Sequence, residues 1–322
     1  MHGTSVVVGV GESTYYRAGR APESEFQLAC IAIRNAVADA GLQLSDIDGF
    51  VTYSMDRNDS LRLMTALGTG ELSFSAMSWP GGGNISAMPI QIADAAITAG
   101  YAKHIVVFRA LAQGQFGRFG RPPAVPYASG DQAFKRPYGE ASPAMNNAMP
   151  WTRYMHEYGV THEATCNVSL ASYAHAQRNP RAIRYGSPLT REDYYNSRWI
   201  VYPYRLFDCT QENDGAAAMV MTTPERARDL KQTPVYIKSA AAGAAQRAGL
   251  QATYNEPYFP YARRLHVADR LWSQAGIGPK DVQGAQFYEN FTGSTVMCIS
   301  DMGFAPPDGI EEFLSNGNIQ WP

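Results

Sequence analysis

The chain has 322 residues, of which 45% are hydrophobic, enough for the core of one large domain or two ordinary ones. Lys and Arg (27) nearly balance Asp and Glu (29), so the formal net charge of -2 gives no electrostatic footprint for nucleic acid or an anionic membrane. No apolar stretch reaches the roughly 18 residues that a spanning helix needs, and the N-terminus lacks a basic segment before an apolar run. The sequence predicts a globular, cytoplasmic protein with a small-molecule or protein partner.

Predicted strands and helices alternate through the first 111 residues. The apolar run "SVVVGVG" predicts a buried strand, and a helix follows with Ser24 as its N-cap and Gly41 as its stop. Strands are predicted over 46–54 and 104–110. Between them lies a helix capped by Ser86, with Pro89 in its first turn. This alternation predicts an α/β layer fold.

Glycine, proline and aromatic residues then dominate, and helical patterns follow around 150–159 and 163–179. Regular α/β patterning returns with predicted strands at 214–223, 234–245 and 282–291 and a predicted helix at 258–276. The middle segment is therefore interpreted as an insertion. Its aromatics, Phe116, Phe119, Tyr127 and Tyr138, fit either a ligand pocket or the core of a loop.

Residues 40–53 and 275–288 form an internal repeat. Five of the fourteen positions are identical at a constant offset of 235, and in both copies a helix leads into a predicted strand. The repeat predicts two related α/β halves. The predicted organisation is an N-terminal half over 1–111, a loop and helical insertion over 112–205, and a C-terminal half over 206–322.

The segment that follows the repeat is shorter in the second half than in the first half. Only 34 residues follow Tyr288, whereas the first half continues through a helix and a further strand. We therefore expect the closing segment of the second half to lie beyond residue 322; the alternative is a half that is incomplete by nature.

Five motifs together resemble one branch of the thiolase superfamily. They are "RYMHEYG", "AHAQRNPRA", "PLTREDYYNSR", "VYPYRLFDC" and "CTQENDGAAAMVM", and their order and spacing resemble sterol-carrier-type thiolases and the thiolase-like lipid-transfer proteins of bacterial steroid degradation. The resemblance covers the whole chain. It implies a thiolase fold, with two pseudo-repeated α/β halves in five αβαβα layers.

The turn "WPGGGNIS" stands where catalytic thiolases carry a nucleophilic cysteine at a helix start. Gly83 takes the cysteine's place, so no covalent acyl-enzyme can form there. The resemblance implies substrate binding by Gly82, Gly83 and Asn84, with room for a ring system and N–H groups facing a thioester oxygen. The glycines also fit a purely structural role in close helix approach.

The segment "YENF" stands where thiolases have an N-E-A-F-like motif, with Tyr288 in the Asn position. Steroid side-chain aldolases of the superfamily resemble this sequence in having a glycine-rich turn in place of the cysteine and a tyrosine in place of the asparagine. This resemblance implies catalytic roles for Tyr288, Glu289 and Asn290. Tyr288 is predicted to transfer a proton, as base or as acid. The alternatives are a strand-end tyrosine equivalent to Tyr53, and polar neighbours that satisfy nearby backbone groups.

The resemblance implies retro-aldol cleavage of a 17-hydroxy steroid side-chain acyl-CoA to a 17-ketosteroid and propionyl-CoA. This carbon–carbon lyase reaction needs no cysteine nucleophile. Two other functions remain open: a Cys-independent acyltransferase of thiolase fold, and a non-catalytic lipid- or acyl-CoA-binding subunit. The resemblance also implies a homodimer and an OB-fold/zinc-ribbon partner protein that completes a heterotetramer.

No metal or separate cofactor is expected. The four cysteines are far apart in sequence, and His162 with Cys166 forms an isolated i, i+4 pair without further ligands. Gly9 and Gly11 lack the third glycine of a dinucleotide fingerprint. CoA therefore enters only as part of the substrate.

Overall fold

The computed structural model describes residues 5–78, 82–116, 127–243 and 267–321. These residues fall into two compact units. The first unit comprises the described residues up to 116 together with 213–242 and 270–277, and the second unit holds the others. The division into two halves and an insertion stays a prediction.

The described strands are β1 (Val6–Glu12), β2 (Tyr16–Arg17), β3 (Gly49–Tyr53), β4 (Phe74–Ser78), β5 (Ile105–Leu111), β6 (Trp199–Val201), β7 (Tyr204–Arg205), β8 (Asn213–Thr222) and β9 (Val235–Tyr236). The described α-helices are α1 (Glu25–Ala40), α2 (Ser60–Leu67), α3 (Met88–Thr98), α4 (Gln113–Phe116), α5 (Pro143–Tyr158), α6 (His162–Gln177), α7 (Arg191–Asn196), α8 (Pro224–Ala227), α9 (Asp269–Ala275), α10 (Thr292–Asp301) and α11 (Ile310–Ser315). None of these helices is long and apolar enough to cross a membrane.

The first unit is built on a mixed sheet with strand order β4-β3-β5-β8-β1-β9, and β2 pairs with β8. The neighbours β4, β3 and β5 are parallel, whereas β8 runs antiparallel to both β5 and β1. The carboxyl ends of β3, β4 and β5 therefore meet at one edge of the sheet. This edge is the usual location of ligand sites in open α/β sheets.

Helix α1 packs so closely against β1 that neither Gly9 nor Gly11 of the strand has room for a side chain. A Cβ on Gly9 would approach the Ala36 carbonyl oxygen to 2.4 Å, and one on Gly11 would approach the Ala36 amide nitrogen to 2.2 Å. Both glycines are therefore required for helix packing, which gives them a structural role in place of a phosphate-binding one. Ser24 caps α1 and Gly41 ends it at φ 77°, which confirms the predicted ends of this helix.

The second unit is mainly helical. Helix α10 packs against α5 and α6, and all ten of its residues are buried. In this core Val296 of α10 is buried together with Trp151 and Tyr154 of α5. Helices α5 and α6 confirm the two helical patterns predicted in the middle of the chain.

The two copies of the repeat form the same local turn. Gly41 and Gly276 both have positive φ, and a 3-10 turn follows each at Leu44–Asp46 and Pro279–Asp281. In both turns an aspartate accepts a 2.8 Å hydrogen bond from the backbone N–H three residues earlier, Asp46 from Gln43 and Asp281 from Gly278. The sequence identity of the repeat thus reflects a shared capped turn.

Two predicted elements differ from the structure, and a third is described only in part. The N-cap of α3 is Ala87, without a side-chain hydrogen bond, whereas Ser86 was predicted; Pro89 lies in the first turn as predicted. The strand predicted at 234–245 is reduced to β9 in the described residues. Residues up to 266 of the helix predicted at 258–276 lie outside the described residues.

The strand predicted over 282–291 is also wrong in the described structure. Residues 284–289 join no ladder there, whereas the equivalent strand β3 is flanked by β4 and β5. Strand geometry requires backbone partners on a neighbouring strand, and an apolar pattern alone does not supply them. Residues 284–286 are exposed, in contrast to Phe50 and Val51 of β3, which are buried.

Candidate active site

The second unit places Tyr288, Glu289 and Asn290 next to one another, immediately before Phe291, the N-cap of α10. The Tyr288 side chain is 47% exposed, so solvent or a ligand can reach it. Glu289 is exposed, and its carboxylate accepts a 2.6 Å hydrogen bond from the Ser172 hydroxyl of α6. The amide oxygen of Asn290 accepts a 3.0 Å hydrogen bond from the Phe291 N–H. These three consecutive residues include a phenol and a carboxylate, either of which can transfer a proton.

Backbone contacts tie this segment to residues 208–210. The Asn290 carbonyl accepts a 2.9 Å hydrogen bond from the Thr210 N–H, and Phe291 forms an isolated antiparallel bridge with Cys209. The next residue, Thr292, donates a 2.7 Å hydrogen bond to the Asp208 carboxylate. The start of α10 is therefore held from one side by a continuous stretch of chain.

Asp208 is the buried carboxylate of this stretch, with 2% of its surface exposed. It accepts hydrogen bonds from the Arg205 N–H at 2.7 Å and from the Tyr194 hydroxyl at 2.9 Å, in addition to that from Thr292. Burial raises the pKa of Asp208, and these three donors act in the opposite direction because they stabilise the ionised form. Burial, together with the charge of Asp208, raises the pKa of Tyr194. The Tyr194 phenol is therefore a structural donor.

The glycine-rich turn of the first unit lies between β4 and α3. Gly82, Gly83 and Asn84 belong to a 3-10 turn over Gly82–Ile85, and the Gly83 carbonyl accepts a 3.1 Å hydrogen bond from the Ser86 N–H. Trp79, Pro80 and Gly81 lie outside the described residues. The turn follows the carboxyl end of β4, at the edge of the sheet where ligands bind. Its described residues carry no thiol or hydroxyl before Ser86, so the polar groups that the turn offers are those of the backbone and the amide of Asn84.

Three of the four cysteines lie in environments that disfavour a thiolate. Burial raises the pKa of Cys166 to about 11 and that of Cys209 to about 12. Burial also raises the pKa of Cys30. A thiol nucleophile requires the opposite shift. Among the described residues, no group of three His, Cys, Asp or Glu side chains is arranged to hold a metal ion.

Two aromatics of the middle segment are strongly exposed. Tyr127 is 75% and Tyr138 is 87% exposed, so these two side chains do not form the core of a loop in the second unit. Phe116, in the first unit, lies under the Arg57 guanidinium at 3.9 Å from its ring centre. Phe119 lies outside the described residues.

Sequence reasoning missed Asp208, Ser172 and Thr292. Asp208 belongs to the motif "VYPYRLFDC". Nothing in the sequence indicates that its carboxylate contacts a helix that begins 84 residues later in the chain. Ser172 is one of several small polar residues on α6, and only the fold brings it to Glu289.

No protein-family model matches the chain. Two curated relatives match nearly all of it. The 17-hydroxy-3-oxo-4-pregnene-20-carboxyl-CoA lyase of Mycobacterium tuberculosis is 38% identical over 99% of this chain and 84% of its own length. The steroid side-chain-cleaving aldolase of Thermomonospora curvata is 35% identical over 99% of this chain and 82% of its own length.

Two solved structures show the same fold. The Ltp2-ChsH2(DUF35) aldolase superposes with a TM-score of 0.90 at 34% identity, covering 98% of this chain and 81% of the other. The monomeric SCP2-thiolase-like protein type 1 of Mycobacterium smegmatis superposes with a TM-score of 0.73 at 17% identity, covering 94% of this chain and 65% of the other. The fold is therefore the thiolase fold.

The glycine turn carries no cysteine, and Tyr288 precedes α10; the resemblance implied both features for an aldolase and neither for a catalytic thiolase. The chain belongs to the family of steroid side-chain-cleaving aldolases, which are carbon–carbon lyases.

Proposed function

We propose that the protein cleaves the side chain of a 17-hydroxy steroid acyl-CoA by a retro-aldol reaction, giving a 17-ketosteroid and propionyl-CoA. The observation that carries the proposal is the 38% identity over 99% of the chain to a lyase named for a 17-hydroxy steroid carboxyl-CoA. A site with an accessible phenol and no activated thiol supports it.

The chemistry requires two proton transfers and no nucleophile. A base removes the proton of the 17-hydroxyl group, the bond between C17 and the α-carbon of the thioester breaks, and the electron pair passes to the α-carbon as an enolate. An acid then protonates that carbon, which completes propionyl-CoA and leaves the ketone at C17. Hydrogen-bond donors on the thioester oxygen stabilise the enolate as its charge develops.

In this scheme Tyr288 is the proton-transfer residue. Its side chain is 47% exposed, so a substrate can reach it. Glu289, held by Ser172, and Asn290 complete the proposed catalytic group. We assign Gly82, Gly83 and Asn84 to substrate binding, with backbone N–H groups facing the thioester oxygen and the missing side chains leaving room for the ring system.

We further propose a homodimer and an OB-fold/zinc-ribbon partner protein that assembles with it into a heterotetramer. The sheet of the first unit supports a second copy: among the described residues β4 pairs only with β3, and its Met77 is 45% exposed. A row of unpaired strand groups is a template for another chain. A relative solved together with ChsH2(DUF35) supports the partner protein.

The direct test is a product assay. The protein, alone and co-expressed with a DUF35 partner, is incubated with a 17-hydroxy steroid-CoA that carries a three-carbon side chain, and the products are followed by mass spectrometry. Equal amounts of 17-ketosteroid and propionyl-CoA are expected. Tight binding without cleavage in both preparations would contradict the lyase and favour a lipid-binding subunit.

A second expected result separates this reaction from acyl-enzyme chemistry. At pH 8 a thiol with a pKa of about 12, such as that of Cys209, is ionised to about one part in ten thousand. Iodoacetamide should therefore leave Cys166 and Cys209 of the native protein unmodified, and turnover should not change. Unfolding in urea should expose all four cysteines to the reagent. Loss of turnover in step with modification of one cysteine would show that a thiol takes part.

A further inference from the structure

Helix α10 is unusual in being both fully buried and half polar. Its ten residues include five buried polar ones, Thr292, Ser294, Thr295, Ser300 and Asp301. Burying a hydroxyl without a hydrogen bond costs free energy, so each buried hydroxyl requires a partner at a defined place. The partners therefore define where this helix lies.

The partners of the first turn come from two separate segments. Thr292 donates to the Asp208 carboxylate at 2.7 Å, and Ser294 donates to the Asn147 side-chain oxygen of α5 at 3.0 Å. Asn147 is itself fixed, because its amide nitrogen donates to the Pro143 carbonyl at 2.8 Å. A hydrogen bond to a carboxylate is stronger and more directional than an apolar contact. Apolar contacts allow a helix to shift along its neighbour, whereas such a hydrogen bond fixes its position.

Close packing restrains the same turn in another direction. The backbone of Gly293 packs directly against Trp151 of α5 and Tyr204 of β7. A Cβ at this position would lie 2.5 Å from the Trp151 ring and 2.5 Å from the Tyr204 hydroxyl oxygen. The N-cap residue, Phe291, supplies no side-chain cap. The start of α10 is thus located by residues from distant segments rather than by local capping.

We propose that Asp208 and Asn147, acting through Thr292 and Ser294, are positioning residues for the proposed catalytic segment Tyr288–Asn290. This inference rests on the proposed function. Only Phe291 separates Asn290 from Thr292, so a displacement of the first turn of α10 moves the segment directly. A misplacement of about 1 Å costs on the order of a hundredfold in rate.

The test compares substitutions of similar size in one hydrogen-bond network. Thr292→Val keeps the shape and removes the hydrogen bond to Asp208, and Thr292→Ser keeps the hydrogen bond. Thr165→Val is the matched control, because the Thr165 hydroxyl is hydrogen-bonded to Tyr194, at 2.8 Å on the other side of Asp208, and to the His162 carbonyl, and not to α10. Ser294→Ala, added to Thr292→Val, removes both anchors.

Thr292→Val should lower kcat about 10- to 100-fold with KM changed less than about twofold, and the double variant should lose more. Thr292→Ser and Thr165→Val should stay within about twofold of the wild-type kcat. Hydrogen exchange over 284–296, measured by mass spectrometry, should accelerate in Thr292→Val and not in Thr165→Val. This second readout does not depend on turnover.

Unchanged exchange and unchanged kcat in Thr292→Val would overturn the inference, and so would a loss in Thr292→Ser equal to that in Thr292→Val. Equal losses in Thr292→Val and Thr165→Val would also overturn it, because they would show a general loss of stability. A wild-type protein that does not cleave the steroid-CoA contradicts the proposed function alone. In that case the exchange comparison still decides whether the anchors position the segment.

Discussion

Replacing Tyr288 with phenylalanine is expected to lower kcat about a thousandfold while leaving the affinity for the steroid-CoA nearly unchanged. The substitution removes one oxygen atom from a side chain that is 47% exposed, so the packing changes little. General acid or base catalysis is worth about 10²- to 10⁴-fold, and all of it depends on that hydroxyl. Turnover measured by propionyl-CoA release, together with binding measured by calorimetry, separates the two effects.

The matched control is Tyr53→Phe. Tyr53 occupies the equivalent position of the repeat, and its ring lies 5.0 Å from the Arg109 guanidinium, a contact that phenylalanine preserves. This variant should keep the wild-type kcat. Full activity in Tyr288→Phe would remove Tyr288 from the mechanism and support the view that both tyrosines are equivalent structural residues.

Gly11→Ala is expected to lower the free energy of unfolding by about 3 kcal/mol, at the upper end of what overpacking costs. The new Cβ would lie 2.2 Å from the Ala36 amide nitrogen and 2.3 Å from the Ala32 carbonyl oxygen. Both atoms belong to the backbone of α1, so no side chain can rotate away and the helix itself must move from the sheet. Urea unfolding followed by fluorescence measures the change.

Gly284→Ala serves as the control for that experiment. Apart from its two chain neighbours, no atom of the described residues lies within 4 Å of a Cβ built on Gly284, and the residue is exposed. Its free energy of unfolding should stay within about 0.5 kcal/mol of the wild-type value. A similar loss in both variants would mean that the cost of alanine comes from the backbone rather than from the contact with α1.

Local patterns predicted the elements that local interactions determine. The capping box of Ser24 and Gln27 and the left-handed Gly41 are encoded within a few residues of the helix ends, and both ends of α1 were found. Sheet pairing is different, because it depends on which strands lie alongside. Residues 284–289 repeat the pattern of β3 without a described ladder partner, and no local pattern reveals that difference.

The same limit applies to the site. Tyr288 and the glycine turn became candidates only through the resemblance to the thiolase superfamily, and their roles stay predictions. The hydrogen-bond partners around the segment that contains Tyr288 could not be predicted, because Ser172 meets Glu289 and Asp208 meets Thr292 across 117 and 84 residues of sequence. Hydrogen-bond partners of this kind are not separated by a characteristic number of residues, so no sequence motif identifies them.

The capped turn that occurs twice in the chain has a consequence for the order of folding. Each copy closes a loop of three residues through Asp46 or Asp281 and needs no contact from elsewhere in the chain. Loops this short close within about 100 ns, long before a sheet assembles from strands more than a hundred residues apart. Both copies can therefore form at the start of folding and set the direction in which the chain leaves each helix.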